Sequence, residues 1–207
     1  MDTEIIIKGA ILVLTLVIVW ATKNIANKRL TKYRTKHRAK LQTQGQLIQA
    51  ARLIARARTT TTKSQSQSLA KTALLEADDL IAISPNDAAG HIVRALALDL
   101  LGHQTAALKS FDTALTYPRL KSLSVGERAD ALVKRAEMKL AVNRRRRIDS
   151  AIEDLEEAAR LAAGRETARL FRLLGECYVS KGLEEKARWA FNEGVKAQQS
   201  SATARDG

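Results

Sequence analysis

The chain is poor in cysteine, proline and aromatic residues. Its one cysteine, Cys177, excludes an intramolecular disulfide framework and suits a reducing compartment. Two prolines and ten glycines in 207 residues exclude a collagen-like or low-complexity chain. Aromatic residues make up only 4%, while alanine and leucine abound, which points to helices and away from a β-sandwich. Acidic residues are nearly missing from the first third. Residues 1–75 hold 14 Lys/Arg and only Asp2 and Glu4, whereas residues 76–207 hold 21 basic and 20 acidic residues. The net charge of +13 therefore belongs almost wholly to the N-terminal part, and that part needs its own explanation. A hydrophobic content of 45% with 28% charged residues suits one globular domain plus extra segments.

What is present at the N-terminus is an apolar run. Gly9 to Thr22 carries no charge, and Ile5, Ile6 and Ile7 extend the run beyond Lys8. The 18 residues 5–22 would span about 27 Å as a helix, enough for a thin bilayer. Lys8 can snorkel to the head groups, and Trp20 stands where an interfacial aromatic is expected. Three readings compete. A cleaved signal peptide usually begins with basic residues, but Asp2 and Glu4 are acidic. A buried soluble helix that is apolar all round needs enclosure on every side. A single transmembrane anchor over residues 1–22 fits best. The flank that follows, Lys23, Lys28, Arg29, Lys32, Arg34, Lys36, Arg38 and Lys40, contains no acid. By the positive-inside rule it keeps the rest of the chain in the cytosol. Such a signal-anchor resembles those of outer-envelope proteins of mitochondria and plastids, and endoplasmic reticulum anchors look similar.

The basic juxtamembrane segment, residues 23–58, holds 11 Lys/Arg and no acid. It can touch anionic lipid head groups, or bind nucleic-acid phosphates, or simply be a solvated flank. Nucleic acid is the weaker partner, because Tyr33 is the only aromatic available for stacking. Leu47, Ile48, Ala51, Ile54 and Ala55 recur at helical spacing, so residues 46–58 form a helix lying on the membrane or packing on the next domain. Residues 59–68, from Thr59 to Ser68, are polar and low in complexity and read as a flexible linker.

From Leu69 to about residue 199 the chain reads as antiparallel helix pairs, with residues 200–207 as a disordered tail. Expected helices are 69–83, 88–101, 104–116, 127–142, 148–163, 166–180 and 183–198, punctuated by Pro85, Gly102, Pro118 and Gly182. Pro85 and Pro118 are 33 residues apart, a solenoid period. Phe171-x-x-Leu174-Gly175-x-x-Tyr178, followed by Gly182, Ala187, Phe191 and Gly194, is one copy. Ala95, Gly102, Ala107, Phe111, Ala114 and Pro118 form an earlier one, and Ala136, Ala151, Leu155 and Ala158 a middle one with about three extra residues near Asn143–Arg147. These residues resemble the tetratricopeptide repeat (TPR) family. Gly194 departs from it, standing where the family has alanine. The resemblance implies an all-α solenoid of about three repeats, preceded here by a single transmembrane helix. Small residues let helices approach, while Phe111, Leu155 and Phe191 fill the space between pairs.

The same resemblance implies a peptide-binding groove lined by Ile92, Leu96, Asp99, Lys134, Glu137, Arg169, Arg172 and Glu176. Ile92 and Leu96 occupy positions where one TPR subgroup clamps a chaperone C-terminus with lysine and asparagine, so no such clamp is expected. Catalytic chemistry is not indicated. His37, His91 and His103 lack metal-ligand spacing, and no glycine-rich phosphate loop follows a strand. Cys177 reads as a buried packing residue. The exposed turn Arg144–Arg147 reads as balanced by Asp149, Glu153 and Asp154. No enzyme activity, cofactor or metal is expected. The sequence points to a membrane-anchored, cytosol-facing adaptor that binds a protein or peptide. The alternative is a nucleic-acid- or ribosome-associated protein using residues 23–58.

Overall fold

The computed structural model describes Lys23, residues 43–162 and residues 167–203, and every regular element among them is helical. Helix α1 covers residues 43–59. It is followed by α2 (Lys63–Ile83), α3 (Ala88–Leu100), α4 (Gln104–Ala114), a 3-10 turn (Arg119–Ser122), α5 (Val125–Leu161), α6 (Ala168–Ser180) and α7 (Glu184–Thr203). The chain divides after Gly45 into two units, and the helical array is the second, Gln46–Gly207. The expected anchor, residues 5–22, and the basic residues Lys28, Arg29, Lys32, Arg34, Lys36, Arg38 and Lys40 lie outside the described residues, while Lys23 is exposed. No described helix is long and apolar enough to cross a membrane.

Three boundaries differ from expectation. The array starts at Gln46 rather than Leu69, because α1 packs its Ala50 and Ile54 against Ala73 and Ala77 of α2 and Val93 and Ala97 of α3. The amphipathic stretch 46–58 therefore packs on protein. Of the expected linker 59–68, only residues 60–62 are non-helical between α1 and α2. Ser66 Oγ donates to the Ala57 carbonyl at 2.8 Å and ties α2 back to α1. Helix α7 also runs into the expected tail, as far as Thr203.

Local chemistry explains where the helices begin and end. The Asp87 side chain accepts from Ala89 N–H at 3.1 Å and caps α3. Ser124 and Glu127 form a reciprocal capping box at the start of α5, with Ser124 N–H donating to Glu127 at 2.8 Å. The turns after α3 and α6 are closed by glycine in the left-handed region, Gly102 at φ +82° and Gly182 at φ +71°. Each is followed by a return bond, His103 N–H to Leu98 O at 2.8 Å and Leu183 N–H to Tyr178 O at 2.9 Å.

The middle pair turns differently. Its two helices run on as α5, broken only at Asn143, whose φ −161° and ψ 92° are extended backbone. Asn143 Oδ1 accepts from Arg146 N–H at 3.0 Å and so starts the second half. Across this break, Arg135 donates to both Asp154 oxygens, at 2.9 and 2.6 Å, and Lys139 Nζ reaches Asp154 at 2.7 Å and Ser150 O at 2.8 Å. The Asp154 side chain is only 5% exposed. Asp154 thus fastens the two halves to each other, and Asp149 pairs with Lys181 at 2.8 Å. Neither forms the local balance to Arg144–Arg147 expected from sequence.

With α1–α2, α3–α4, the halves of α5 and α6–α7, the described residues form four helix pairs rather than about three. Alanines dominate the contacts, with Ala73, Ala95, Ala107, Ala136, Ala151 and Ala158 fully buried, as close helix packing requires. Phe111 and Leu155 fill the space between pairs, as expected. Phe191 does not, being 37% exposed. Its ring lies over Gly175, where an added Cβ would stand 2.6 Å from the ring. Gly175 therefore makes room for an aromatic edge at the surface.

Candidate functional site

The face built by the first helix of each pair gathers charge. Glu137 on α5 accepts from Lys134 Nζ at 2.9 Å, one turn away on the same helix, and from Arg169 of α6 at 2.6 Å. Asp99, near the end of α3, lies within the electrostatic reach of Lys134, Glu137 and Arg58 of α1. Burial pushes its carboxyl above the ordinary aspartate range, Lys134 and Arg58 offset part of that rise, and Glu137 adds to it. Four helices thus contribute five charged side chains to one surface. A recess of about 190 Å³ opens there, lined by Asp130, Val133, Lys134, Thr167, Arg169 and Leu170 among others. Arg169 has 62% of its side chain exposed and is available to a ligand.

Of the eight residues expected in the groove, the structure brings Asp99, Lys134, Glu137 and Arg169 together. Arg172 and Glu176 sit further along α6 as an exposed pair 3.9 Å apart. Ile92 and Leu96 are half-buried. Both pack against the core cluster of α3 and α4, and Leu96 also against the one under α1, with part of each side chain left in solvent. Arg58 was missing from the expected set. The helical spacing of Ile54 and Ala57 places it beside the face once α1 joins the array.

A second concavity lies between the second half of α5, α6 and α7. This open cleft of about 490 Å³ is lined by Glu156, Ala159, Arg160, Phe171, Leu174, Tyr178, Lys186 and Trp189. Trp189 is 50% exposed and meets Phe171 edge to face, with ring centres 5.7 Å apart. Tyr178 donates its hydroxyl proton to Glu156 at 2.7 Å, and burial with this bond pushes the phenol well above its ordinary range. Lys186 Nζ stands 5.5 Å from the Tyr178 ring centre. Neither aromatic exposure nor this cleft was indicated by the repeat pattern.

The remaining reactive groups are built into the packing. The Cys177 thiol is fully buried, and burial pushes its pKa up, which leaves it a protonated packing group. Burial lowers the pKa of His91, whose Nε2 accepts from Arg119 Nε at 3.2 Å, while Arg119 Nε also reaches Pro85 O at 2.9 Å. The ring secures the α2–α3 turn to the 3-10 segment. Among the described residues no group of three His, Cys, Asp or Glu side chains is placed to hold a metal ion.

No family model matches the sequence, and no curated protein matches it. Solved structures do. One crystal structure of MamA is 18% identical, covering 81% of this chain and 95% of its own, at a TM-score of 0.54. A second crystal structure of MamA is also 18% identical, covering 74% of this chain and 75% of its own, at a TM-score of 0.53. MamA is a TPR-like helical-repeat protein. The helical array described here therefore has an all-α fold resembling the TPR-like fold of MamA.

Proposed function

We propose that the chain is a non-enzymatic protein-interaction scaffold whose first-helix face docks a partner segment. The observation that supports this most is the convergence of Arg58, Asp99, Lys134, Glu137 and Arg169, from four helices, on one face, where Lys134 and Arg169 also line an open recess. Three cations and two carboxylates at fixed spacing favour a partner carrying charges of both signs. Such contacts set specificity and on-rate more than raw affinity. The TPR-like fold lends general support to a protein partner.

The further proposal is that residues 5–22 anchor the scaffold in a membrane, with the helical array facing the cytosol. It rests on the apolar run and on the basic flank Lys23–Lys40. An outer organelle envelope, mitochondrial or plastid, and the endoplasmic reticulum all fit this signature. The alternative, nucleic-acid binding through residues 23–58, rests on the same basic residues, of which Arg52, Arg56 and Arg58 are exposed on α1.

Proximity labelling from the intact protein tests the docking face. Charge reversal of Arg58, Lys134 and Arg169 to glutamate should remove the main labelled proteins while leaving the fold intact by circular dichroism. An unchanged set of labelled proteins would place the docking surface elsewhere. Alkaline carbonate extraction tests the anchor. The protein should stay in the membrane pellet, and release into the supernatant would refute a spanning segment.

A further inference from the structure

We propose that the cleft between the second half of α5 and α7 is a second, independent docking site, taking an acidic peptide that bears one large apolar side chain. The floor of the cleft is apolar and aromatic, with Phe171, Leu174 and Trp189 in it. Its volume of about 490 Å³ falls in the ordinary range for ligand sites and exceeds the need of a single aromatic or leucine side chain. Half of Trp189 is open to solvent, and its ring is held by the edge-to-face contact with Phe171. A rigid, half-exposed tryptophan is the residue type most enriched at binding hot spots.

The charges on the rim choose the occupant. Glu156 is engaged by the Tyr178 hydroxyl at 2.7 Å. Arg160 and Lys186 form no ion pair among the described residues, and Lys186 rests over the face of Tyr178. Arg160 and Lys186 outnumber Glu156 around the apolar floor, and two cations with no ion pair among the described residues complement a peptide with carboxylates flanking one bulky apolar residue. A basic peptide meets repulsion at both rim positions. This site uses none of the residues of the first-helix face, so it stands or falls separately from that proposal.

Trp189 supplies its own reporter, since the chain has only one other tryptophan, Trp20. The test uses the full chain carrying Trp20→Phe, in detergent micelles, titrated with short synthetic peptides. One peptide has a central phenylalanine with two glutamates on each side. The second replaces phenylalanine by alanine, and the third replaces the glutamates by lysines. The first should shift Trp189 emission to shorter wavelength saturably, and the other two should bind at least tenfold more weakly. Arg160→Glu with Lys186→Glu should weaken the first peptide at least tenfold. Arg160→Ala with Lys186→Ala provides the same reading if the reversal disturbs folding. Lys134→Glu with Arg169→Glu should leave binding unchanged. No saturable shift, equal binding of the lysine peptide, or equal loss in the first-helix-face variant would each overturn the proposal.

Discussion

Two ion networks share helix α5 and do opposite work. Lys134 and Glu137 project to the first-helix face, where Arg169 has 62% of its side chain in solvent. Arg135 and Lys139, next to them in sequence, turn inward onto Asp154, which is 5% exposed. Residue type does not separate the two sets. What separates them is the carboxylate at the centre of each. Asp154 is almost wholly buried and holds two cations, whereas Glu137 is 18% exposed and one of its partners, Arg169, stands mostly in solvent. A charge removed from water must be paired to be tolerated, and Asp154 so holds the halves of α5 together across Asn143. A charge left at the surface contributes little to stability and remains available to a partner.

The largest expected effect lies in the inner network. Asp154→Ala leaves Lys139 buried without its carboxylate and Arg135 with only the exposed Asp112 at 3.4 Å, which should cost about 3–5 kcal/mol in chemical denaturation. A cost below about 1 kcal/mol would show that the two cations escape to solvent, and the contrast between the networks would collapse. In the outer network, Glu137→Ala should cost about 1 kcal/mol or less by the same measurement, because Arg169 is 62% exposed and Lys134 is 28% exposed, so both cations reach water once the carboxylate is gone. Its main effect should fall on partner recognition.

Asp99 sharpens the contrast through pH. Burial raises its carboxyl pKa in the folded state. The folded form therefore binds that proton more tightly than the unfolded chain. The stabilising contribution is fully present below the ordinary aspartate pKa and is lost as pH rises through the raised value. Asp99→Asn should thus melt higher relative to the parent at about pH 7 than at about pH 3. A pH-independent difference would contradict the burial of this carboxyl. The smallest effect is expected at Arg172→Ala, whose only ion pair among the described residues is an exposed one at 3.9 Å, with a stability change below about 0.5 kcal/mol.

Much of the array could be read from the sequence because small and large residues recur at repeat spacing. Ala136, Ala151, Leu155 and Ala158 are all buried, as the middle copy implied, and the chain does break at Asn143. Gly102 and Gly182 mark turns because only glycine adopts those positive φ values cheaply. The membership of α1 was not decidable. The expected stripe of Leu47, Ile48, Ala51, Ile54 and Ala55 suits a lipid surface and a protein surface equally well. In the structure only Leu47 and Ile54 of it turn to the alanines of α2 and α3, with Ala50 between them, while Ile48, Ala51 and Ala55 are exposed. Asp154 was misassigned because its partners lie 15 and 19 positions earlier, beyond the local spacing that suggested Arg144–Arg147. The position of Phe191 in the repeat pattern also concealed that no further helix covers it among the described residues. Half of the expected groove residues converge, since register on a helix is periodic. Ile92 and Leu96 divide themselves between solvent and the core clusters beneath, as apolar side chains at the edge of a face do.

Site-specific photocrosslinking tests the central claim most directly. A photoreactive phenylalanine analogue is placed at Arg169, on the first-helix face, or at Lys109, exposed on α4, in the intact protein in cells. The account predicts a discrete adduct with another protein from position 169 and none from position 109. An adduct from position 109 alone, or from neither position in cells where proximity labelling detects partners, would contradict docking on the first-helix face.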